Sequence, residues 1–447
     1  MKKIIITLSI IAGLVLVLVL SLKSIGLSPT DIGANIDVGK SMSAKLACSG
    51  YHLSGFDLEQ NKKDIDSYTP ISSVLGLEFK NNQTHANLLG SKQSATYRPG
   101  LGCTLDIGDT AALDELTIPP SPAILDAAWP KGQQAPHLQQ RLQSLTDELL
   151  KSDNDAGLNT RALLVIKDGK LIAESYADYI DPDSQLLGWS MGKSITALLL
   201  GHLELRGKIN AQTTQLFPQW SGVRQDVSLE HLLHMSSGLD FSEVYAPGSD
   251  ATRMLFSSHS AASVALESNL AHPPGTHFYY SSGTTNLLMQ YMTNLLGSPQ
   301  AMIDYLYNSL LYPAGALDTT FEVDPSGVLV GSSYIYSSAR DWARFGLVMI
   351  NNGFINQHQI VSPGWITRAT TPNKSTNDPR YGYQFWLNQG GDAPRWADLP
   401  ADAFAMLGNR QQIVMMIPSH NAVIVRLGWT SGRYPTNQNI AKIVNRL

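Results

Sequence analysis

Cysteine is nearly absent from this chain. Its 447 residues hold two, Cys48 and Cys103, both in the N-terminal quarter. An oxidising compartment would close them into one bridge, and the alternative is a pair of buried thiols. Charge is sparse as well: 15% of residues are charged, and the net of -5 has mixed signs. That leaves no basic footprint for nucleic acid and leans toward an extracytoplasmic enzyme. No internal repeat or low-complexity tract is present, and no Gly-x-Ser-x-Gly, so the nucleophile-elbow signature of α/β-hydrolases is missing.

A long apolar run occurs at the N-terminus, from Ile4 to Leu22, after Met1-Lys2-Lys3. About 20 apolar residues span a bilayer, whereas a secretory signal core is shorter and ends in small residues. Leu22-Lys23-Ser24-Ile25-Gly26-Leu27 makes a poor cleavage site, so residues 1–22 are expected to be an uncleaved signal anchor. Lys2 and Lys3 would hold the N-terminus in the cytoplasm and place the remainder in the periplasm of a bacterium. Secretion after cleavage is the alternative.

Beyond the anchor, residues 23–40 read as a tether. Residues 41–108 read as a small, irregular, partly β region closed by Cys48–Cys103, and the prolines of 109–136 mark a stiff linker. From 137 to 447 the pattern is regular. Leu138, Leu142, Leu145 and Leu149 repeat at helical spacing. Arg161–Ile166 and Lys170–Tyr176 flank Asp168-Gly169, a hairpin signal because a type I′ turn needs positive φ. Two apolar strands, Gln412–Ile417 and Ala422–Leu427, precede a last helix from about Thr436 to Leu447. Strands from both ends with helices between them predict an α+β domain: one antiparallel sheet with an inserted helical region.

Ser190-Met191-Gly192-Lys193 sits at the mouth of an apolar helix. Residues i and i+3 are neighbours on a helix, so a hydroxyl and an amine are brought together. A partly desolvated lysine gives up its proton readily and can act as base toward the serine. Tyr280, before the apolar Leu287-Leu288-Met289, is the candidate proton shuttle if a nearby ammonium lowers its pKa. His231 and His234 have a spacing that could ligate a metal, but no carboxylate motif accompanies them, so core and capping roles are expected. Trp189, Tyr383, Phe385, Trp386 and Trp429 could line a substrate cleft or pack in the core.

Three ordered segments carry a resemblance. Gly188–Thr196 is similar to the nucleophile helix of the serine β-lactamase and penicillin-binding-protein-like superfamily. Val227–Leu239 and Ser338–Gly346 resemble stretches of its class C-like branch. Tyr280-Ser281-Ser282 stands where class C enzymes carry Tyr-x-Asn. The serine version resembles the esterases and 6-aminohexanoate-dimer hydrolases of the group. The resemblance spans about 137–447 and implies a β-lactamase/transpeptidase-like fold. It implies Ser190 as nucleophile, Lys193 as base, Tyr280 as proton shuttle and Ser282 beside the substrate. The Ser190 and Asn409 backbone N–H groups would form the oxyanion hole.

The chain departs from the β-lactamase pattern in lacking Lys-Thr-Gly before Gln412–Ile417. Leu407-Gly408-Asn409-Arg410-Gln411-Gln412 is closer to the esterase version, with Arg410 as a possible substitute charge. An ester, amide or peptide substrate is therefore expected rather than efficient β-lactam turnover, with no metal or organic cofactor. A cell-wall DD-peptidase or a non-catalytic penicillin-recognising protein are the alternatives. The sequence leaves the oligomeric state open.

Overall fold

Asp168 and Gly169 both adopt positive φ, 51° and 74°, and reverse the chain between β5 (Thr160–Lys167) and β6 (Lys170–Tyr176). The computed structural model describes residues 32–68, 70–88, 90–122, 127–134 and 138–447. The hairpin forms one edge of a six-stranded antiparallel sheet. The remaining strands are β7 (Trp386–Leu387), β8 (Phe404–Gly408), β9 (Gln412–Ile417) and β10 (Ala422–Gly428), and the order is β7-β8-β9-β10-β5-β6. β10 pairs directly with β5, Val423 opposite Ile166, so the two ends of the domain share one sheet as expected.

Alternating residues divide that sheet into two apolar faces. Leu163, Val165, Ile413, Met415 and Ile424 pack beneath α2 (Gln140–Asp155) and α6 (Thr436–Val444). Leu164, Ile166, Val414, Val423 and Val425 turn to the larger core, which holds α3 (Gly192–Leu205), α4 (Ser282–Leu296) and α5 (Ala339–Ile350). A Cβ on Gly346 would sit 2.5 Å from Val423, so α5 reaches the sheet because that position has no side chain.

The N-terminal region is more ordered than its composition suggests. α1 (Ile32–His52) begins inside the stretch read as a tether and packs on a separate antiparallel sheet, β1 (Gly76–Lys80), β2 (Gln83–Leu88), β3 (Ser91–Arg98) and β4 (Gly102–Leu105). Residues 39–50 of α1 are buried on every side. A helix buried all round shows no polar stripe, so no amphipathic pattern marks it in the sequence. Its Lys45 pairs with Glu322 of the 137–447 region, and Glu322 also accepts from Ser49 and from the Cys103 backbone N–H. Cys48 and Cys103 form the expected disulfide, joining α1 to β4. The linker lies along the domain: Arg344 of α5 donates to the carbonyls of Pro130 and Gly132 and stacks on Trp129.

Residues 1–22, on which the anchor is expected, lie outside the described residues. Among the described residues no helix is long and apolar enough to cross a membrane.

Candidate active site

Ser190 lies in a single 3₁₀ turn, Trp189–Met191, immediately before α3. Two glycines make that turn possible. A Cβ on Gly188 would meet the Trp342 ring at 2.1 Å, and one on Gly192 would meet the Gly331 carbonyl oxygen at 2.6 Å. Trp189 itself takes φ of 49°, a left-handed conformation that a bulky residue holds only when its surroundings impose it. The residue is 5% exposed, its indole edge-on to Tyr68 and tilted against Tyr334. Trp189 therefore braces the turn and does not line an open cleft.

Lys193, the second residue of the apolar helix, is 1% exposed. Its Nζ is 2.9 Å from Ser190 Oγ, 2.9 Å from Ser282 Oγ and 3.0 Å from the Ser332 carbonyl oxygen. Burial pushes the amine down to about 8, against the opposing charge of Glu243. A lysine so placed is available as a neutral base near physiological pH.

Tyr280 precedes α4, whose start is capped by Ser281 accepting from the Thr284 N–H. Its ring stacks on Trp386 at 5.0 Å and lies 5.0 Å from Lys193 Nζ. The lysine thus faces the π surface. The expected lowering of the phenol's pKa is not found. Burial, reinforced by Glu243, pushes it well above its ordinary value, and the Ser190 hydroxyl opposes that only in part. Tyr280 is a neutral phenol, suited to give a proton rather than to take one.

Among the aromatics considered for a cleft, Trp386 alone stacks on a site residue. Tyr383 and Phe385 are fully buried, with the Tyr383 hydroxyl donating to Glu230, and Trp429 packs against Tyr68 while its indole donates to the Asp64 carbonyl. Their segment still serves the site. Gln384 accepts at its carbonyl from Ser194 of α3 and at its side chain from Thr285 of α4, tying the two helices together.

Opposite the Ser190 turn, β8 ends at Gly408, where a Cβ would sit 2.1 Å from the Gly188 carbonyl oxygen. Asn409 follows, exposed, with its side chain accepting from the Tyr68 hydroxyl at 3.1 Å. Arg410 takes φ of 59°, lies 3.8 Å from the Tyr68 ring centroid and donates to the Ser67 carbonyl. Its guanidinium is occupied by the N-terminal region. A recess of about 270 Å³ opens here, lined by Tyr68, Asn409, Arg410, Gln411 and Thr430.

His231 closes a capping box with Ser228, and His234 packs against Tyr383. Glu243 escaped the sequence reading: its carboxylate accepts from the Ser282 N–H at 2.7 Å and from Ser282 Oγ at 2.5 Å. It lies on a loop 39 residues before its partner, and no local spacing announces it.

A buried lysine bonded to a serine at a helix start, beside an antiparallel sheet built from both ends of a domain, defines the β-lactamase/transpeptidase-like class of fold. Residues 142–442 match the beta-lactamase family, and the chain belongs to that family. It is 26% identical over 285 residues to the 6-aminohexanoate-dimer hydrolase of Paenarthrobacter ureafaciens, covering 60% of this chain and 72% of that one. A Bacillus anthracis structure of 6-aminohexanoate-dimer hydrolase type matches with a TM-score of 0.58 at 18% identity, covering 75% of this chain and 90% of its own. EstCE1, a hydrolase with promiscuous acyltransferase activity, matches at 0.56 and 15% identity, covering 68% and 98%. At such identities the two structures share the fold.

Proposed function

We propose that this protein hydrolyses an ester or amide bond of a small molecule or peptide through an acyl-enzyme on Ser190. The observation that carries this reading is the 2.9 Å contact between Ser190 Oγ and the buried Lys193 amine. Neutral Lys193 takes the serine proton as Ser190 attacks the carbonyl carbon. Charge on the tetrahedral oxygen falls to the backbone N–H groups of Ser190 and Asn409, a type of contact worth about 3–4 kcal/mol per donor. Tyr280 gives its proton to the leaving group, and Lys193 recharges the phenol. A water then enters and gives its proton to neutral Lys193, which passes it to Ser190 as the acid leaves.

Efficient β-lactam turnover does not fit. The strand that carries Lys-Thr-Gly in β-lactamases presents Gly408-Asn409-Arg410, and the Arg410 guanidinium is held by Tyr68 and Ser67. Ser282 stands where an amide would grip the substrate, and its hydroxyl is bonded to Glu243. The resemblance to an amide-cleaving relative supports the substrate class named above. The reading includes an inner-membrane anchor at residues 1–22 with the catalytic domain in the periplasm. The Lys2-Lys3 flank and the Cys48–Cys103 bridge, a feature of oxidising compartments, support it.

Labelling of the purified protein with a fluorophosphonate and a fluorescent penicillin, wild type against Ser190→Ala, tests the chemistry. Fluorophosphonate labelling that vanishes in Ser190→Ala is the expected result. Absence of labelling by either probe in wild type sinks the catalytic reading, and labelling that survives the substitution moves the nucleophile elsewhere. Penicillin labelling without ester hydrolysis shifts the substrate toward cell-wall peptides. For the anchor, release from membranes by high salt contradicts an uncleaved helix.

A further inference from the structure

We infer that Glu243 is a positioning residue that, through Ser282, aims the lone pair of Lys193 at Ser190. The inference rests on the acyl-enzyme reading above and adds to it a reason why the base points the right way.

A serine hydroxyl has a single proton. In Ser282 that proton goes to Glu243 Oε1 at 2.5 Å, and the Ser282 backbone N–H goes to Glu243 Oε2 at 2.7 Å. The carboxylate therefore takes both donors of one residue and fixes its rotamer. With its proton committed, Ser282 Oγ can only accept from Lys193, 2.9 Å away. The Ser332 carbonyl, 3.0 Å from the same nitrogen, is also an acceptor only.

A neutral lysine amine has two N–H bonds and one lone pair. Two obligate acceptors consume the two N–H bonds, and the lone pair is left facing the third neighbour, Ser190 Oγ at 2.9 Å. Without Glu243, the Ser282 hydroxyl is free to rotate and donate to Lys193. That would occupy the lone pair and disable the base. When Ser190 gives up its proton, the new ammonium donates to Ser282 and Ser332 with no rearrangement, and the Glu243 charge lies one hydroxyl away to stabilise it.

The ionisable groups around this chain of contacts are few. Glu243 and the Tyr280 ring face Lys193. Lys193, the Tyr245 hydroxyl at 3.0 Å, Tyr280 and Tyr381 face Glu243. Among the described residues Glu243 is the one charge that acts on the Lys193 equilibrium.

The test is the second-order rate of fluorophosphonate labelling, measured across pH for wild type, Glu243→Gln, Glu243→Ala, Ser282→Ala and Glu243→Ala/Ser282→Ala. Circular dichroism serves as the fold control. Glu243→Ala should slow labelling by roughly a factor of 10–100, the scale of a misaimed catalytic group. In the Ser282→Ala background the same substitution should change the rate less than about twofold, because the coupling runs through Ser282. Glu243→Gln should move the rising limb of the pH profile to lower pH, since the charge that favours the ammonium is gone. Equal rates and an unmoved limb in Glu243→Gln and Glu243→Ala overturn the inference. So do multiplicative losses in the double variant. Absence of labelling in wild type would instead remove the acyl-enzyme reading, which distinguishes the two failures.

Discussion

Gly408 and Gly188 approach so closely that a methyl group on Gly408 would lie 2.1 Å from the Gly188 carbonyl oxygen. The first ends β8 and the second opens the Ser190 turn, so this contact brings the strand end that carries Asn409 against that turn. Both glycines are needed by space: Gly408 has an ordinary extended conformation, with φ of -132°.

Gly408→Ala should therefore part the strand end from the turn. The expected outcome is a fall in esterase kcat of about 100-fold, the scale of a lost oxyanion donor or a misplaced reacting group. Circular dichroism and the thermal midpoint should stay close to wild type. Full activity in this variant would show that Asn409 is not a partner of Ser190.

The pH dependence follows from Lys193, whose amine is pushed down to about 8 by burial. The base must be neutral, so kcat/KM should rise with pH and level off above about 8. Stability should climb in the next window. An unfolded lysine keeps its proton to about 10.4, so between pH 8 and that value the unfolded state binds more protons and stability rises with pH. Below pH 8 both states are protonated, and the folded one carries the full burial penalty. Lys193→Met at pH 7 should abolish activity while stabilising the fold by about 1–3 kcal/mol in urea titrations.

Lys45 and Glu322 form an ion pair that is closed off from solvent, 2% and 0% exposed. Burial presses each toward its neutral form, and their mutual attraction resists this. Glu322→Ala would leave Lys45, Ser49 and the Cys103 N–H without their shared acceptor. A loss of about 3–5 kcal/mol is expected in equilibrium unfolding. Lys45→Met combined with Glu322→Gln should cost less than the sum of the separate changes.

Tyr68 belongs to the N-terminal region yet touches Trp189, Asn409 and Arg410. Tyr68→Phe removes the hydroxyl that donates to Asn409 and keeps the ring under Arg410, and Tyr68→Ala also removes the ring. Steady-state kinetics on a p-nitrophenyl ester should show kcat/KM falling by about threefold for the first and more for the second. Values equal to wild type in both would confine the N-terminal region to a structural role.

Much of this arrangement was legible in the chain because its cues are local. A hairpin needs two positive-φ residues, and Asp168-Gly169 supplied them. A helix places residues three apart on one side, and Ser190 and Lys193 obeyed. The Ser228 and Ser338 segments that resemble family stretches became helix caps. Other features had no local cue. α1 was hidden because its polar residues, Ser41, Ser43, Lys45 and Ser49, are buried, and Lys45 and Ser49 find their partner, Glu322, in a distant segment. Whether the aromatics line a cleft or pack in the core stayed open in the sequence for a related reason: a side chain's exposure depends on what packs over it. Tyr280 lies beside Lys193, but its pKa shifts opposite to the expected direction, since Lys193 meets its ring face while burial dominates.

The sequence by itself determined the family-like order of motifs, the hairpin, and a hydroxyl three residues from an amine at a helix start. Each is a property of short-range backbone geometry. The tertiary structure alone decided that the amine is buried, that Gly408 brings a strand end against the nucleophile turn, and that Glu243 takes the proton of Ser282. Those depend on packing, burial and electric fields, which are set by distant segments: Glu243 and Ser282 are 39 residues apart in the chain, and Lys193 and Ser332 are 139 apart.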